Sequence, residues 1–136
     1  MLASKVCPVV LRRLGSVVEI LACEHPLAGC QLVKGTIEPG ESIEVAALRE
    51  LAEESGIEAA VVTRNLGIWS SGFESQVWEF VECKPGQACP ESWVHHASDD
   101  GGRAFRFFWH PLFGSEDSNH WHFLFQGALG FIQNAA

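Results

Sequence analysis

Positive charge is scarce in this sequence. The 136 residues contain nine Lys and Arg against seventeen Asp and Glu, which gives a formal net charge of −8. A protein that holds nucleic acid by its phosphates needs a basic face, so we expect no nucleic-acid partner. No apolar run reaches the roughly 18 residues of a membrane span, so no membrane partner is expected either. A small anionic substrate is still compatible with the charge, because a bound divalent cation reverses its sign locally.

Paired cysteines of the usual kinds are also missing. The five cysteines are odd in number and no C-x-x-C occurs, so the sequence predicts neither a disulfide framework nor a common zinc site. Buried free thiols in a reducing cytoplasm are the expected use. The apolar N-terminus has basic residues and no acid before Glu19, as in a transit peptide. However, Pro8 and the β-branched residues that follow it favour a strand instead.

The remaining composition suits one packed domain. Hydrophobic residues make up 47% and charged residues 19%, so we expect a single domain over residues 1–136. The pattern predicts a helix over Ile43–Ser55 and a last helix, capped by Ser118 or Asn119, with an apolar stripe that starts at Trp121. Residues 93–97 are ambiguous. Strands are predicted over residues 6–13, 17–23, 59–62, 66–69, 76–82 and 104–109. This order predicts an α/β domain in which helices cover a mixed β-sheet.

The helix over Ile43–Ser55 carries the chemistry. At about 100° per residue, Glu50, Glu53 and Glu54 fall on one stripe, and the leucines of the helix point away from it. Neighbouring carboxylates on a helix repel one another by roughly a few tenths of a kcal/mol per pair. Mg²⁺ or Mn²⁺, which prefer oxygen ligands, would relieve that repulsion. The alternative is a solvated acidic face.

The residues around this helix favour the metal. Residues 35–57 read GTIEPGESIEVAALRELAEESGI. The segment resembles the Nudix box, G-x5-E-x7-R-E-U-x-E-E-x-G-U, in which U is a bulky aliphatic residue. Every specified position is matched, by Gly35, Glu41, Arg49, Glu50, Leu51, Glu53, Glu54, Gly56 and Ile57. The chain is therefore identified as a member of the Nudix hydrolase family, whose α/β/α sandwich is the expected fold.

The resemblance implies a metal-dependent pyrophosphohydrolase. Its substrate would be a nucleoside diphosphate linked to another moiety, such as a nucleoside triphosphate or a dinucleoside polyphosphate. By position, Glu50, Glu53 and Glu54 match the family's ligands for Mg²⁺ or Mn²⁺, and the backbone carbonyl of Lys34 matches a further ligand. Glu50 also matches the residue that acts as the base, or orients it, in some members.

The other matched positions imply supporting roles. Arg49 matches the arginine that steadies the glutamates through an ion pair, so Arg49, Glu50 and Glu53 are the catalytic candidates. Glu41 matches the structural glutamate of the box, and Gly35 matches the glycine that lets the loop turn close to the metal. The side chain of Lys34 is in addition a candidate contact for a substrate phosphate.

Residues outside the box supply further candidates. Glu91, Asp99 and Asp100 are candidates for a downstream base or extra ligand, with His95 and His96 nearby. The alternative for these residues is an ordinary loop. Four arginines are candidate phosphate contacts and one of the five tryptophans is a candidate for stacking on a nucleobase. The arginines are Arg12, Arg13, Arg103 and Arg106.

The sequence does not identify the substrate. The chain has no tyrosine, although the diadenosine polyphosphate type of the family has one downstream of the box. The position at which the ADP-ribose type has proline is Phe73 here.

Three alternatives are left open. The first is a Nudix-fold module that binds a nucleotide without cleaving it. The second is hydrolysis of RNA 5′ ends, which the negative charge disfavours. The third concerns assembly, since the family often forms homodimers. The apolar C-terminal helix is available either for such an interface or for covering the sheet.

Overall fold

The computed structural model describes residues 2–97, 102–114 and 121–136. Two helices flank two small β-sheets. The helices are α1 (Ile43–Ser55) and α2 (Phe123–Ala135). The strands are β1 (Lys5–Val9), β2 (Leu11–Leu14), β3 (Val17–His25), β4 (Gly29–Gln31), β5 (Gly35–Thr36), β6 (Ala60–Ser70), β7 (Val77–Pro85), β8 (Ser92–His96) and β9 (Ala104–Pro111). The first sheet has the order β5-β1-β7-β6 and is mixed, because β1 and β7 are parallel. The second has the order β2-β3-β9-β8, with β4 beside β3, and is antiparallel.

The predicted strand over residues 6–13 is divided between the two sheets. The chain leaves the first sheet after Val9 and enters the second at Leu11. Between them, the Val10 carbonyl accepts a hydrogen bond of 2.9 Å from the Leu21 amide, so its polar group is not lost at the bend. The second half of this strand and the strand predicted over residues 17–23 form a hairpin, in which Leu14 pairs with Val17 across a two-residue turn.

Alternation along the strands places one helix on each face. On β7, Trp78 and Phe80 pack in one core cluster with α2, whereas Val81 and Cys83 pack in the other cluster with α1. The same alternation occurs on β1 and β3. Because successive strand residues point to opposite faces, the two sheets form a middle layer between the helices. The expected α/β/α sandwich is confirmed, with the strands split into two curved sheets.

Both ends of α1 are those predicted from the sequence. The Ser42 hydroxyl accepts a hydrogen bond of 3.2 Å from the Val45 amide and so caps the first turn. Gly56 adopts a left-handed conformation with φ of 83°, and its amide donates to the Ala52 carbonyl at 3.0 Å. The helix is therefore fixed at both termini by local sequence.

Two strand predictions differ from the structure. Residues 59–62 and 66–69 were expected to be separate strands, but β6 runs through both, with register shifts between Val62 and Arg64 and between Asn65 and Gly67. Such bulges break the alternation that a sequence pattern detects. The ambiguous segment at residues 93–97 corresponds to β8, an edge strand that pairs with β9.

The start of the last helix was predicted wrongly. α2 begins at Phe123, and its cap is His122, whose Nδ1 accepts from the Leu124 amide at 3.2 Å. Trp121 precedes the helix, and its backbone pairs with that of Cys30 in an isolated parallel β-bridge. Ser118 and Asn119, the expected caps, lie outside the described residues. The rest of the apolar stripe is buried against the sheets, which is the covering role considered for this helix: Leu124, Phe125, Ala128, Leu129 and Ile132.

In the described part of the chain, neither helix combines the length and the apolar character that a bilayer-crossing helix needs.

The glycine at the end of α1 provides a test of this local geometry. A Cβ on Gly56 would lie 2.9 Å from Nδ1 of His95, in addition to the strain of its positive φ. We expect Gly56→Ala to lower the free energy of unfolding by more than the roughly 1–2 kcal/mol that a left-handed alanine costs. Chemical denaturation measures the change.

Gly15→Ala is the matched control. Gly15 also has a positive φ, of 62°, but a Cβ there meets nothing within 4 Å. The control therefore carries the backbone strain without the contact. Equal losses for the two variants would contradict a packing role for Gly56 against His95.

Candidate active site on the glutamate helix

The glutamates of α1 are not equally exposed. Glu50 is buried, with a relative exposure of 6%. Glu53 and Glu54 are half-buried. The alternative of a fully solvated acidic face therefore does not describe Glu50. The buried face of α1 includes a carboxylate because that carboxylate is ion-paired, which compensates part of its desolvation.

Arg49 is the partner that holds these carboxylates. Its Nε donates to Glu41 at 2.6 Å and one Nη donates to the other oxygen of Glu41 at 2.8 Å, so the pair is bidentate. The second Nη donates to Glu50 at 2.9 Å and to Glu53 at 3.2 Å. The backbone carbonyl of Thr36 accepts a further bond at 3.0 Å. One guanidinium thus joins the helix to the loop before it.

Glu41 is held in its charged form. Hydrogen bonds from Arg49, and after them one from the Glu38 amide, lower the pKa of Glu41 from 4.5 to about 2. The Arg49 pKa is raised in turn, chiefly by the hydrogen bond to Glu41. Glu41 therefore orients Arg49 rather than taking part in proton transfer at neutral pH.

The absence of a side chain at Gly35 makes room for the Glu50 carboxylate. A Cβ at position 35 would lie 1.8 Å from the carboxyl carbon of Glu50. Only a residue without a side chain lets β5 pass so close to this carboxylate. Close approach of Gly35 to a metal stays a prediction, whereas its close approach to Glu50, one of the candidate metal ligands, is what the geometry gives.

Lys34 approaches the same centre from an aromatic surface. Its ammonium lies 4.8 Å from the ring centroid of Trp78 and 5.9 Å from that of Phe125. Burial lowers the pKa of Lys34, and the nearby charge of Lys5 adds to the effect. A desolvated ammonium of this kind gains from an anionic ligand.

These groups line one cavity of about 690 Å³. The acidic wall comes from α1 and the loop before it, with Glu38, Glu50, Glu53 and Glu54. The other walls carry positive, polar and aromatic side chains. These include Lys34, His25, Arg103, Phe73, Phe105, His122 and Phe125. A volume of this size is typical of pockets for small ligands.

The donors in this cavity fit a hard divalent cation by their chemistry. Carboxylate and carbonyl oxygens are the ligands that Mg²⁺ and Mn²⁺ prefer, and Glu50, Glu53, Glu54 and the Lys34 carbonyl would supply them. Among residues 2–97, 102–114 and 121–136, however, no three acidic, histidine or cysteine side chains form a ready-made metal cluster. Glu50 and Glu53 instead face Arg49.

Several other candidates lie elsewhere. Glu91 binds Arg12 through two hydrogen bonds of 2.6 and 2.8 Å, which lower its pKa, and it does not line the cavity. It is thus poorly suited to be a base there. His95 faces Gly56 at the far end of α1, and His96 is exposed on β8. Asp99 and Asp100 lie outside the described residues.

Most of the arginine and tryptophan candidates also lie away from the cavity. Arg12 packs over Trp109, Arg106 pairs with Glu24, and Arg13 is exposed. Only Arg103 of the four lines the cavity. Within the part of the chain that the structure describes, the aromatic lining consists of phenylalanines and histidines, without a tryptophan. His25 and His122 were not predicted as site residues, because each lies outside any motif and reaches the cavity through strand pairing or a helix cap.

The chain matches the family model of the NUDIX domain over residues 5–112, which is most of its length. A search of curated protein sequences found no match.

Solved structures share the fold. Ap4A hydrolase of C. elegans is 21% identical, with a TM-score of 0.61 and 98% of both chains covered. An ADP-ribose pyrophosphatase from Streptococcus suis is 14% identical, with a TM-score of 0.63 over 97% of this chain and 91% of the other. The NUDIX domain of Shewanella oneidensis NrtR, solved with ADP ribose, is 16% identical, with a TM-score of 0.61 over 98% and 88%.

The ion pair of Glu41 predicts a pH dependence of stability. Because its pKa is lower in the folded chain, Glu41 stabilises the fold fully above pH 4.5, and the contribution is lost as pH falls toward about 2. We expect Glu41→Gln to be less stable than the wild type at about pH 6, with the difference shrinking by about pH 3. Denaturant unfolding at a series of pH values measures it. A difference that does not change with pH would contradict the ion pair.

Gly35→Ala tests the close approach to Glu50. The added methyl group must displace the Glu50 carboxylate, so we expect its contact with Arg49 to be lost. The Arg49 side-chain NMR resonances should shift and the free energy of unfolding should fall by roughly 1–3 kcal/mol. Gly130→Ala is the control, because Gly130, like Gly35, has no positive φ and a Cβ there meets nothing within 4 Å. Unchanged Arg49 resonances in Gly35→Ala would show that the carboxylate does not occupy this space.

Proposed function

This chain belongs to the Nudix family of pyrophosphohydrolases, and we propose that it is a single-domain, metal-dependent enzyme. Its substrate is a nucleoside diphosphate linked to another moiety. The observation that carries the proposal is the Arg49 network, which holds Glu41, Glu50 and Glu53 together at one wall of a ligand-sized cavity. A solvated acidic face has no need of a shared guanidinium.

Glu50, Glu53 and Glu54, with the carbonyl of Lys34, would hold Mg²⁺ or Mn²⁺. The cation, when bound, would lower the pKa of a bound water and neutralise charge on the diphosphate. Glu50 and Glu53 already bond the guanidinium of Arg49, so Arg49 would compete with a bound cation for these two carboxylates. Its separate, bidentate partner Glu41 would keep the arginine anchored.

The residues of this chain also divide the work of binding and proton transfer. Lys34, whose ammonium is partly desolvated at the cavity, would bind a substrate phosphate. The base comes from the α1 glutamates, with Glu50 as the first candidate, since Glu91 is held by Arg12 away from the cavity. Alignment and charge stabilisation are the main requirements of attack at phosphorus.

The substrate class rests on the family and on the cavity. An Ap4A hydrolase and an ADP-ribose pyrophosphatase share this fold, and both of their names describe a nucleoside linked through phosphates to a second group. The phenylalanines of the cavity wall offer an apolar surface for the nucleoside part. Dinucleoside polyphosphates, nucleoside triphosphates and ADP-ribose are therefore the substrates to test first.

Replacing one glutamate tests the proposal. We expect Glu53→Gln to lower turnover of the best substrate by roughly 100-fold or more, because a neutral amide is a poor ligand for a hard cation. The assay couples phosphate release to a phosphatase, with a panel of canonical and oxidised nucleoside triphosphates, dinucleoside polyphosphates, ADP-ribose, NADH and nucleotide sugars. Mg²⁺ and Mn²⁺ are each tested, and a chelator should abolish turnover.

Glu44→Gln is the matched control. Glu44 is an exposed glutamate in the first turn of the same helix, so its variant loses the same charge without touching the cavity and should keep the wild-type rate. Wild-type turnover in Glu53→Gln would overturn the assignment of this residue to the metal. Nucleotide binding without metal-stimulated cleavage across the panel would support the binding module instead.

A further inference from the structure

His25 has one ring nitrogen committed to the backbone. The residue ends β3, is buried with a relative exposure of 7%, and packs against Phe105. Its Nδ1 accepts hydrogen bonds from the amides of Leu27 at 3.0 Å and Ala28 at 3.1 Å. Two donors on one nitrogen fix that nitrogen as the acceptor, so the proton of the neutral ring belongs on Nε2.

The Nε2 atom then faces a second donor. It lies 2.9 Å from an Nη of Arg103, and both residues line the cavity. A guanidinium has no acceptor, so the Nε2–H and the guanidinium N–H meet without an acceptor between them. The other tautomer would let Arg103 donate to Nε2. That tautomer would, however, place the Nδ1–H opposite two backbone N–H groups. It is the less favourable arrangement, because two donor–donor contacts would replace one.

Four other arginines form salt bridges in the structure, and Arg103 differs from them in this respect. Arg12, Arg49, Arg64 and Arg106 each form a salt bridge, whereas Arg103 forms none within residues 2–97, 102–114 and 121–136. Its side chain is exposed at the cavity, immediately before β9. It can therefore turn its fork toward a ligand without breaking an ion pair to any residue that the structure describes.

We propose that the Nε2–H of His25 and the guanidinium of Arg103 form an anion subsite that binds a phosphate oxygen of the substrate. An acceptor placed beside both groups satisfies two N–H donors at once and removes their opposition. The subsite lies on the β3–β9 wall of the cavity, whereas the carboxylates lie on the α1 wall. The proposal rests on the proposed function, because it assigns this anion to the substrate of the same cavity.

This arrangement gives the substrate a second point of attachment. Arg49 is engaged by four glutamates, Glu38, Glu41, Glu50 and Glu53, so a phosphate would have to compete with these carboxylates for it. Lys34 and Arg103 are the remaining lysine and arginine of the cavity lining in the described residues. In this proposal, one phosphate of a substrate with two or more phosphates contacts Lys34 and another contacts Arg103 and His25. His25 and Arg103 thus act as binding residues that select for an extended anionic group.

The test measures binding of an anion and turnover separately. Pyrophosphate without metal is the probe, and its affinity is measured by calorimetry. ¹H–¹⁵N spectra of the imidazoles report the tautomer of His25 and the response of its Nε2–H. We expect the Nε2–H tautomer in the free protein and a shift of that resonance on titration with pyrophosphate. An Nδ1–H tautomer, or no shift at saturating pyrophosphate, overturns the proposal.

Two variants remove the two donors in turn. Arg103→Gln should raise the dissociation constant for pyrophosphate by roughly 10-fold or more, as for loss of a charge-assisted hydrogen bond. His25→Asn keeps an acceptor near the amides of Leu27 and Ala28 but removes the Nε2–H donor, and should weaken binding in the same direction. Arg106→Gln is the control, since this exposed arginine of β9 pairs with Glu24 outside the cavity lining.

Kinetics separate this subsite from the proposed function. With the best substrate of the panel, Arg103→Gln should raise KM by about the same factor and leave kcat within roughly twofold. Unchanged pyrophosphate affinity and KM in both variants would overturn the subsite while leaving the hydrolase standing. Weakened pyrophosphate binding in a protein that cleaves no member of the panel would support the subsite and count against the proposed hydrolysis.

Discussion

The site depends on one guanidinium surrounded by carboxylates. Arg49 bonds Glu41 with two nitrogens and reaches Glu50, Glu53 and the Thr36 carbonyl with its remaining donors. Without it, the acids of α1 and of the preceding loop would repel one another, and the loop would have no charged attachment to the helix. The planar fork of an arginine suits this task, because a lysine could not bond three carboxylates in fixed directions. Arg49 therefore balances the negative charge of these carboxylates before any metal or substrate binds.

Because Glu50 is buried, its carboxylate depends on the contact with Arg49 more strongly than an exposed carboxylate would. Glu50 packs beside Leu51 and beneath β5, where a carboxylate without a partner would be costly. Gly35 supplies the room and Arg49 supplies the charge, so three positions of the chain must agree for this carboxylate to stay in place. A carboxylate held in this way is constrained in position, as a group that aligns water and phosphate would need to be.

The overall charge of the chain contrasts with that of its expected ligand. A protein of net charge −8 repels a polyphosphate at long range. The cavity offsets this locally, because the partly desolvated ammonium of Lys34 and the guanidinium of Arg103 line it together with the acids of α1. Positive and negative side chains thus line the same cavity.

The sequence by itself determined α1, its two caps and the grouping of its glutamates, because helix periodicity, a serine cap and a terminal glycine act over a few residues. It also determined the alternation of apolar residues on β7, which places one helix on each face. Only the tertiary structure decided that Glu50 is buried and that Glu91 is held by Arg12 outside the cavity. It alone brought His25 and Arg103 together, although they lie far apart in the chain. These outcomes depend on strand pairing, on bulges and on which ion pairs form across the fold, and none of them has a local pattern in the sequence.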